Sequence, residues 1–149
     1  MKKLFNLIIM FVLIGSLATV ATGCKDESAS GGVDAEGFVV LESGLKYKDR
    51  VVGEGPTVKS GDRLSMHYEG TLDDGSKFDS SRDKNRPFEF DLGAGQVIKG
   101  WDIGVDGMNV GGQRMLVIPY DLAYGEGGIP GLIPAKSTLT FEVEVLEVL

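Results

Sequence analysis

Few side chains in this chain could act as nucleophile, base or metal ligand, and many could line an apolar cavity. There is one histidine, His67, and one cysteine, Cys24. A lone histidine with no cysteine near it argues against a zinc site, which takes three or four such ligands. One cysteine also rules out an internal disulfide. A Ser-His-Asp triad lacks the Gly-x-Ser-x-Gly elbow that would present its serine. His67, within Met66-His67-Tyr68, reads instead as a hydrogen-bonded strand residue. Gly125-Glu126-Gly127-Gly128 is not followed by Lys-Ser/Thr and is no phosphate loop. What remains is aromatic: Tyr68, Phe78, Phe88, Phe90, Trp101, Tyr124 and Phe141, with Val97-Ile98 ahead of the tryptophan and Asp79 beside Phe78. Such residues either fill a closed core or wall a concave apolar site with a few placed polar groups.

The elements that would hold them are mostly strands. Leu45, Tyr47 and Val51 alternate with charged residues, as do Phe88, Phe90 and Leu92, and Leu139, Phe141, Val143 and Val145. That period of two marks antiparallel sheet with one wet face. Leu64–Glu69 and Arg114–Pro119 are further strand candidates. The 22 glycines, with Asp73-Asp74-Gly75, Gly53-Glu54-Gly55-Pro56 and Gly111-Gly112, supply turns. One stretch has helical spacing: Ile98, Trp101, Val105 and Met108 share a face. Gly100 and Gly104 each cost up to about 1 kcal/mol there relative to Ala, so packing must hold this helix. One short helix against a curled antiparallel sheet is an α+β arrangement.

The chain opens with a different signal. Met1-Lys2-Lys3 is a positive start, Leu4 to Val20 is largely apolar, and Ala21-Thr22-Gly23-Cys24 ends in small residues. This order marks an export signal. A permanent membrane anchor is the alternative, weakened because the stretch thins into Ser, Thr and Gly before reaching about 20 apolar residues. The Gly-Cys end resembles the lipobox of bacterial lipoproteins, with Ala21 where Leu is commonest. It implies a signal peptide over 1–23, a lipid on Cys24 as membrane anchor and an exported protein. In a Gram-negative cell, Lys25 beside the cysteine leans toward the outer membrane. Residues 24–37 then read as the lipidated cysteine and a polar, flexible tether of roughly 20 Å, and 38–149 as the folded domain.

Seven runs in order carry a second resemblance. They are His67-Tyr68-Glu69-Gly70, Asp74-Gly75-Ser76-Lys77-Phe78-Asp79-Ser80-Ser81, Pro87-Phe88-Glu89-Phe90, Val97-Ile98-Lys99-Gly100-Trp101, Leu122-Ala123-Tyr124-Gly125, Ile129-Pro130-Gly131-Leu132-Ile133-Pro134 and Leu139-Thr140-Phe141-Glu142-Val143-Glu144-Val145. Together they resemble the FKBP-type peptidyl-prolyl cis-trans isomerases from about residue 45 to 149. The resemblance implies an antiparallel β-sheet half-barrel wrapped around one short α-helix. It implies Trp101 as pocket floor, Tyr68, Phe78, Phe88, Phe90, Val97, Ile98 and Phe141 as walls, and Tyr124, Ile129, Leu132 and Ile133 on a flap over the mouth. Asp79 and the Tyr124 hydroxyl would be the polar groups. Lys84 stands where the family has an arginine bound to Asp79. Lysine offers no planar fork, so a looser network is expected. Ile129 replaces a histidine of well-known relatives.

The implied activity is rotation about X-Pro bonds without cofactor or metal, on proline-containing polypeptides, in support of exported-protein folding. Macrolide immunosuppressant-type inhibitors are implied ligands. The net charge of −7 and the lack of a basic patch speak against nucleic acid. With no added helical arm, a monomer is expected. A binding module with the same pocket and no catalysis, or a purely structural lipoprotein, are the competing classes.

Overall fold

The computed structural model describes residues 31–149. The export segment, Cys24 and the first part of the tether lie outside the described residues. Among the described residues seven strands form one antiparallel sheet: β1 (Val39–Val40), β2 (Lys46–Val51), β3 (Arg63–Leu72), β4 (Lys77–Ser80), β5 (Phe88–Asp91), β6 (Gln113–Ile118) and β7 (Leu139–Val148). Their spatial order is β1-β2-β6-β7-β3-β4, with β5 also paired to β3. β4 pairs with Glu69–Thr71 of β3, and β5 with Arg63–Met66. The two short strands thus make one interrupted edge, and residues 81–87 bulge out between them. Ser81 pins the base of the bulge: its N–H donates to the Tyr68 carbonyl (3.0 Å) and its hydroxyl accepts the Tyr68 N–H (2.9 Å).

The strand expectations hold, with longer bounds for β3. Leu139, Phe141, Val143 and Val145 are all buried, while Glu142 is exposed. On β2 the same-face series contains a charge. Asp49 sits opposite Arg114 of β6, and this pair, unread in the sequence, is structural. Arg114 is 8% exposed. It donates to both Asp49 oxygens (2.6 and 3.0 Å) and to the Gly104 carbonyl (2.8 Å), with Tyr47 stacked 4.3 Å from its guanidinium.

That carbonyl ends α1 (Lys99–Gly104), the single α-helix among the described residues. The helix is shorter than the Ile98–Met108 spacing suggested: Ile98 is its N-cap, Val105 its C-cap, and Met108 lies beyond it in the core. Its glycines are explained by proximity. A Cβ on Gly100 would lie 2.4 Å from Ile118 Cγ2, and one on Gly104 2.7 Å from Leu116 Cδ2. The helix axis therefore rides directly on β6. Trp101 meets rings from β3, β5 and β7, so the sheet wraps the helix on several sides. This is the expected α+β arrangement.

The fold starts earlier than residue 38. Residues 31–37, read as tether, turn back on the sheet. Val33 bridges Val39, and the Asp34 carboxylate accepts the Phe38 N–H (2.9 Å) and the Lys46 ammonium (3.0 Å). Those hydrogen bonds hold Asp34 below the usual carboxylate range. Polar composition suggested a flexible segment; one aspartate with a downstream lysine partner turns it into structure.

Candidate active site

Where the interrupted edge, β7 and the start of α1 converge, the sheet leaves a concavity of about 260 Å³. Tyr68, Phe78, Asp79, Phe88, Gln96, Val97, Ile98, Trp101, Tyr124 and Phe141 line it. Trp101 is 4% exposed and stands edge-on to Tyr68 (5.1 Å), Phe141 (5.3 Å) and Phe88 (6.0 Å). Phe78 stands edge-on to Phe141 at 5.5 Å. Such pairs add about 0.5–1.5 kcal/mol each beyond area burial and hold the rings at fixed angles. Packing alone orients Trp101, because its indole N–H is buried without an acceptor among the described residues. Gly70 makes the wall possible. A Cβ there would come within 2.6 Å of Phe78 and 2.7 Å of Phe141.

Asp79 is the one carboxylate in the lining. Its oxygens accept the Tyr68 hydroxyl (2.6 Å), the Lys84 ammonium (2.5 Å) and the Ser80 N–H (2.9 Å). Burial by itself pushes the carboxyl up, but Lys84 and Tyr68 outweigh it and the net shift is downward. Burial and the Asp79 charge both push the Tyr68 hydroxyl up, and the same causes raise Tyr124. The network expected around Lys84 is therefore assembled, through one ammonium contact where a fork would make two.

Two donors remain free. The Ile98 N–H, just ahead of α1, and the Tyr124 hydroxyl, just after the 3₁₀ turn Tyr120–Leu122, have no acceptor among the described residues. The loop holding Ile98 is braced by Asp102, which accepts the Gly93 and Gly95 N–H groups (2.8 and 3.2 Å).

Some residues expected at the site lie elsewhere. Phe90 is 1% exposed and stacks behind Phe88 against Trp101, supporting the wall without lining it. Its strand alternation matched that of Phe88, but the edge strand turns one ring to the concavity and the other to the core. Ile129, Leu132 and Ile133 also miss the lining. Ile129 and Ile133 bridge each other, Ile133 is buried in the core at 3% exposure, and Leu132 is exposed. Ile129 and Ile133 anchor the hairpin on the core, while Leu132 faces solvent. Gln96 joins the lining unforeseen. It exchanges hydrogen bonds with Asp91 (2.9 and 2.8 Å), and only the turn that brings it back to β5 reveals it. His67 lies outside the lining, hydrogen-bonded to the Ser81 hydroxyl at 2.9 Å. Ser81 is buried and its hydroxyl accepts the Tyr68 N–H, so it is held as a structural group.

Comparison with known proteins agrees with this geometry. A sequence profile described as "FKBP-type peptidyl-prolyl cis-trans isomerase" matches residues 55–146. "Peptidyl-prolyl cis-trans isomerase Fkbp12" of Drosophila melanogaster is 56% identical over 97 residues, covering 64% of this chain and 90% of that protein. "FK506-binding protein 4" of Gibberella zeae is 51% identical over 130 residues, 87% of this chain but only 26% of that longer protein. The crystal structure of AtFKBP13 matches 75% of this chain and 98% of its own, with 41% identity and a TM-score of 0.72.

Proposed function

The chain belongs to the FKBP-type peptidyl-prolyl cis-trans isomerase family, and from that premise we propose that its domain catalyses rotation about X-Pro bonds of polypeptides by desolvation. The carrying observation is an aromatic concavity with Trp101 at its base and two unengaged donors, the Ile98 N–H and the Tyr124 hydroxyl. An X-Pro bond faces a barrier of about 18–20 kcal/mol, set by loss of amide resonance. The twisted state carries less charge on its carbonyl oxygen than the planar amide. Moving the bond from water to an apolar surface therefore penalises the planar state more. A ten-thousandfold acceleration takes about 5.5 kcal/mol, a sum that desolvation and shape fit can supply. In this reading the free donors hold the peptide on either side of the rotating bond. Asp79 transfers no proton, since Tyr68, Lys84 and Ser80 already occupy it. A protease-coupled assay on proline tetrapeptides tests the activity. No rate above the uncatalysed background would leave a binding module.

The preference for proline-containing segments extends to inhibitors. The Gibberella relative is named for binding FK506, and a macrolide of that type would compete for the same concavity. The export reading is part of the proposal. Its support is the apolar start and the Gly23-Cys24 end of that stretch. A lipid on Cys24 would tether the isomerase to a bacterial membrane, where it would assist folding of exported chains as a monomer. Cys24→Ala should release the protein from the membrane fraction, and continued partitioning into membranes would refute lipid anchoring.

A further inference from the structure

Beside the aromatic concavity runs a second, wider groove of about 600 Å³. It shares Tyr68 and Phe88 with the first and is otherwise lined by Arg63, Ser81, Lys84, Arg86, Pro87 and Glu89. A peptide that leaves the concavity past either shared ring enters this groove. A residue advances extended chain by about 3.3–3.6 Å, so a neighbour one or two positions from the proline reaches the groove. Its lining holds three cations and one acid, in a chain whose net charge is −7. Two of the cations are engaged: Lys84 by Asp79, and Arg63 by Glu89 and Asp91 at 3.4 Å.

Arg86 is not. Arg50, Arg63, Arg82 and Arg114 each pair with a carboxylate, while the Arg86 guanidinium has no partner among the described residues. The bulge places it there. Arg86 closes the loop through its N–H to the Ser81 carbonyl (3.2 Å), and Pro87 then leads directly into Phe88 of β5. Guanidinium takes carboxylate through two parallel hydrogen bonds.

Resting on the proposed isomerase reading, we propose that this groove is a specificity subsite for an acidic side chain one or two positions from the isomerised proline, with Arg86 as its anchor. The groove is open, so the selectivity is modest, as for half-exposed ion pairs. The test uses matched proline peptides carrying Glu, Gln or Lys at each of the two positions on either side. At low salt the Glu peptide at one of these positions should show a kcat/KM about two- to fivefold above Gln, with Lys below Gln. The ratio should fall toward one in about 1 M salt, where screening acts over roughly 3 Å. R86Q should bring the Glu-to-Gln ratio to about one and R86E should invert it. Equal rates for Glu, Gln and Lys at every position, or a ratio unchanged in R86Q, would overturn the subsite. If no peptide is isomerised, the isomerase reading fails instead. The subsite is then judged by peptide affinity, read from the fluorescence of Trp101, with the same ratios expected.

Discussion

At the scale of single residues, the proposed mechanism divides its labour between rings that exclude water and two unengaged donors, the Ile98 N–H and the Tyr124 hydroxyl, that would orient a peptide. Losing the first should cost more than losing the second. Tyr124→Phe removes one hydrogen bond, worth about 1 kcal/mol, and should lower kcat/KM by about fivefold. Phe78→Leu and Trp101→Leu open the wall and the base to water, and should each lower it by more than about tenfold. Steady-state assays on one tetrapeptide would rank the three; a Tyr124 effect exceeding both others would contradict the desolvation mechanism. The protonation states lead to a second expectation. Asp79 is held below the ordinary carboxylate range, and Tyr68 and Tyr124 above the ordinary phenol range. No lining group with a shifted pKa changes charge between about pH 5 and 8, so kcat/KM should be flat there. Stability follows the sign of the Asp79 shift. Its contribution is present above its unfolded pKa of about 3.9 and is lost as pH falls through the lower folded value. Acid unfolding of Asp79→Asn should accordingly begin from a lower plateau and show a shallower loss.

Among the elements, the short helix is the weak member and depends on two devices. Its glycines let it ride on β6, and Arg114 of that strand ties its last carbonyl to Asp49 of β2. Arg114→Met keeps the apolar stem but leaves Asp49 and the Gly104 carbonyl without their donor. Leaving a fully buried charge unpaired costs about 3–5 kcal/mol, but Asp49 keeps a third of its side chain in water, so the loss here should be smaller, about 1–2 kcal/mol, the worth of charge-assisted hydrogen bonds. Urea unfolding should show a lower midpoint with an unchanged slope. Because α1 carries Trp101 and follows Ile98, activity at a temperature where the variant is folded should also fall. The interrupted edge is the other decisive element. Its bulge at 81–87 delivers Lys84 to Asp79 and Arg86 to the neighbouring groove, a result of pairing β4 and β5 to the same side of β3.

For the molecule as a whole, the folded unit extends upstream to the turn around Asp34. A chain beginning at residue 31 should be more stable than one beginning at 38, because it retains the hydrogen bonds that Asp34 accepts from Phe38 and Lys46. Equal urea midpoints would show that the turn adds nothing. The sheet, the short helix α1 and most of the aromatic lining were legible in the sequence because they depend on local period and on ordered motifs. Alternation at Leu139–Val145 declares which face is buried wherever the strand lies. Other features became visible only in the tertiary structure. Asp49 and Arg114 are 65 residues apart, and neither position signals the other. Phe88 and Phe90 share a pattern, yet one lines the concavity and the other backs it. Ile133 looked like part of a flap and is core. Gln96 enters the site through a turn, and Arg86 gains its meaning from lacking a partner while it borders a groove. Period and motif specify which side chains leave water. Which of those then face a ligand, a neighbouring ring or a charge depends on how distant strands are brought into register, and that is decided only when the whole sheet closes around the helix.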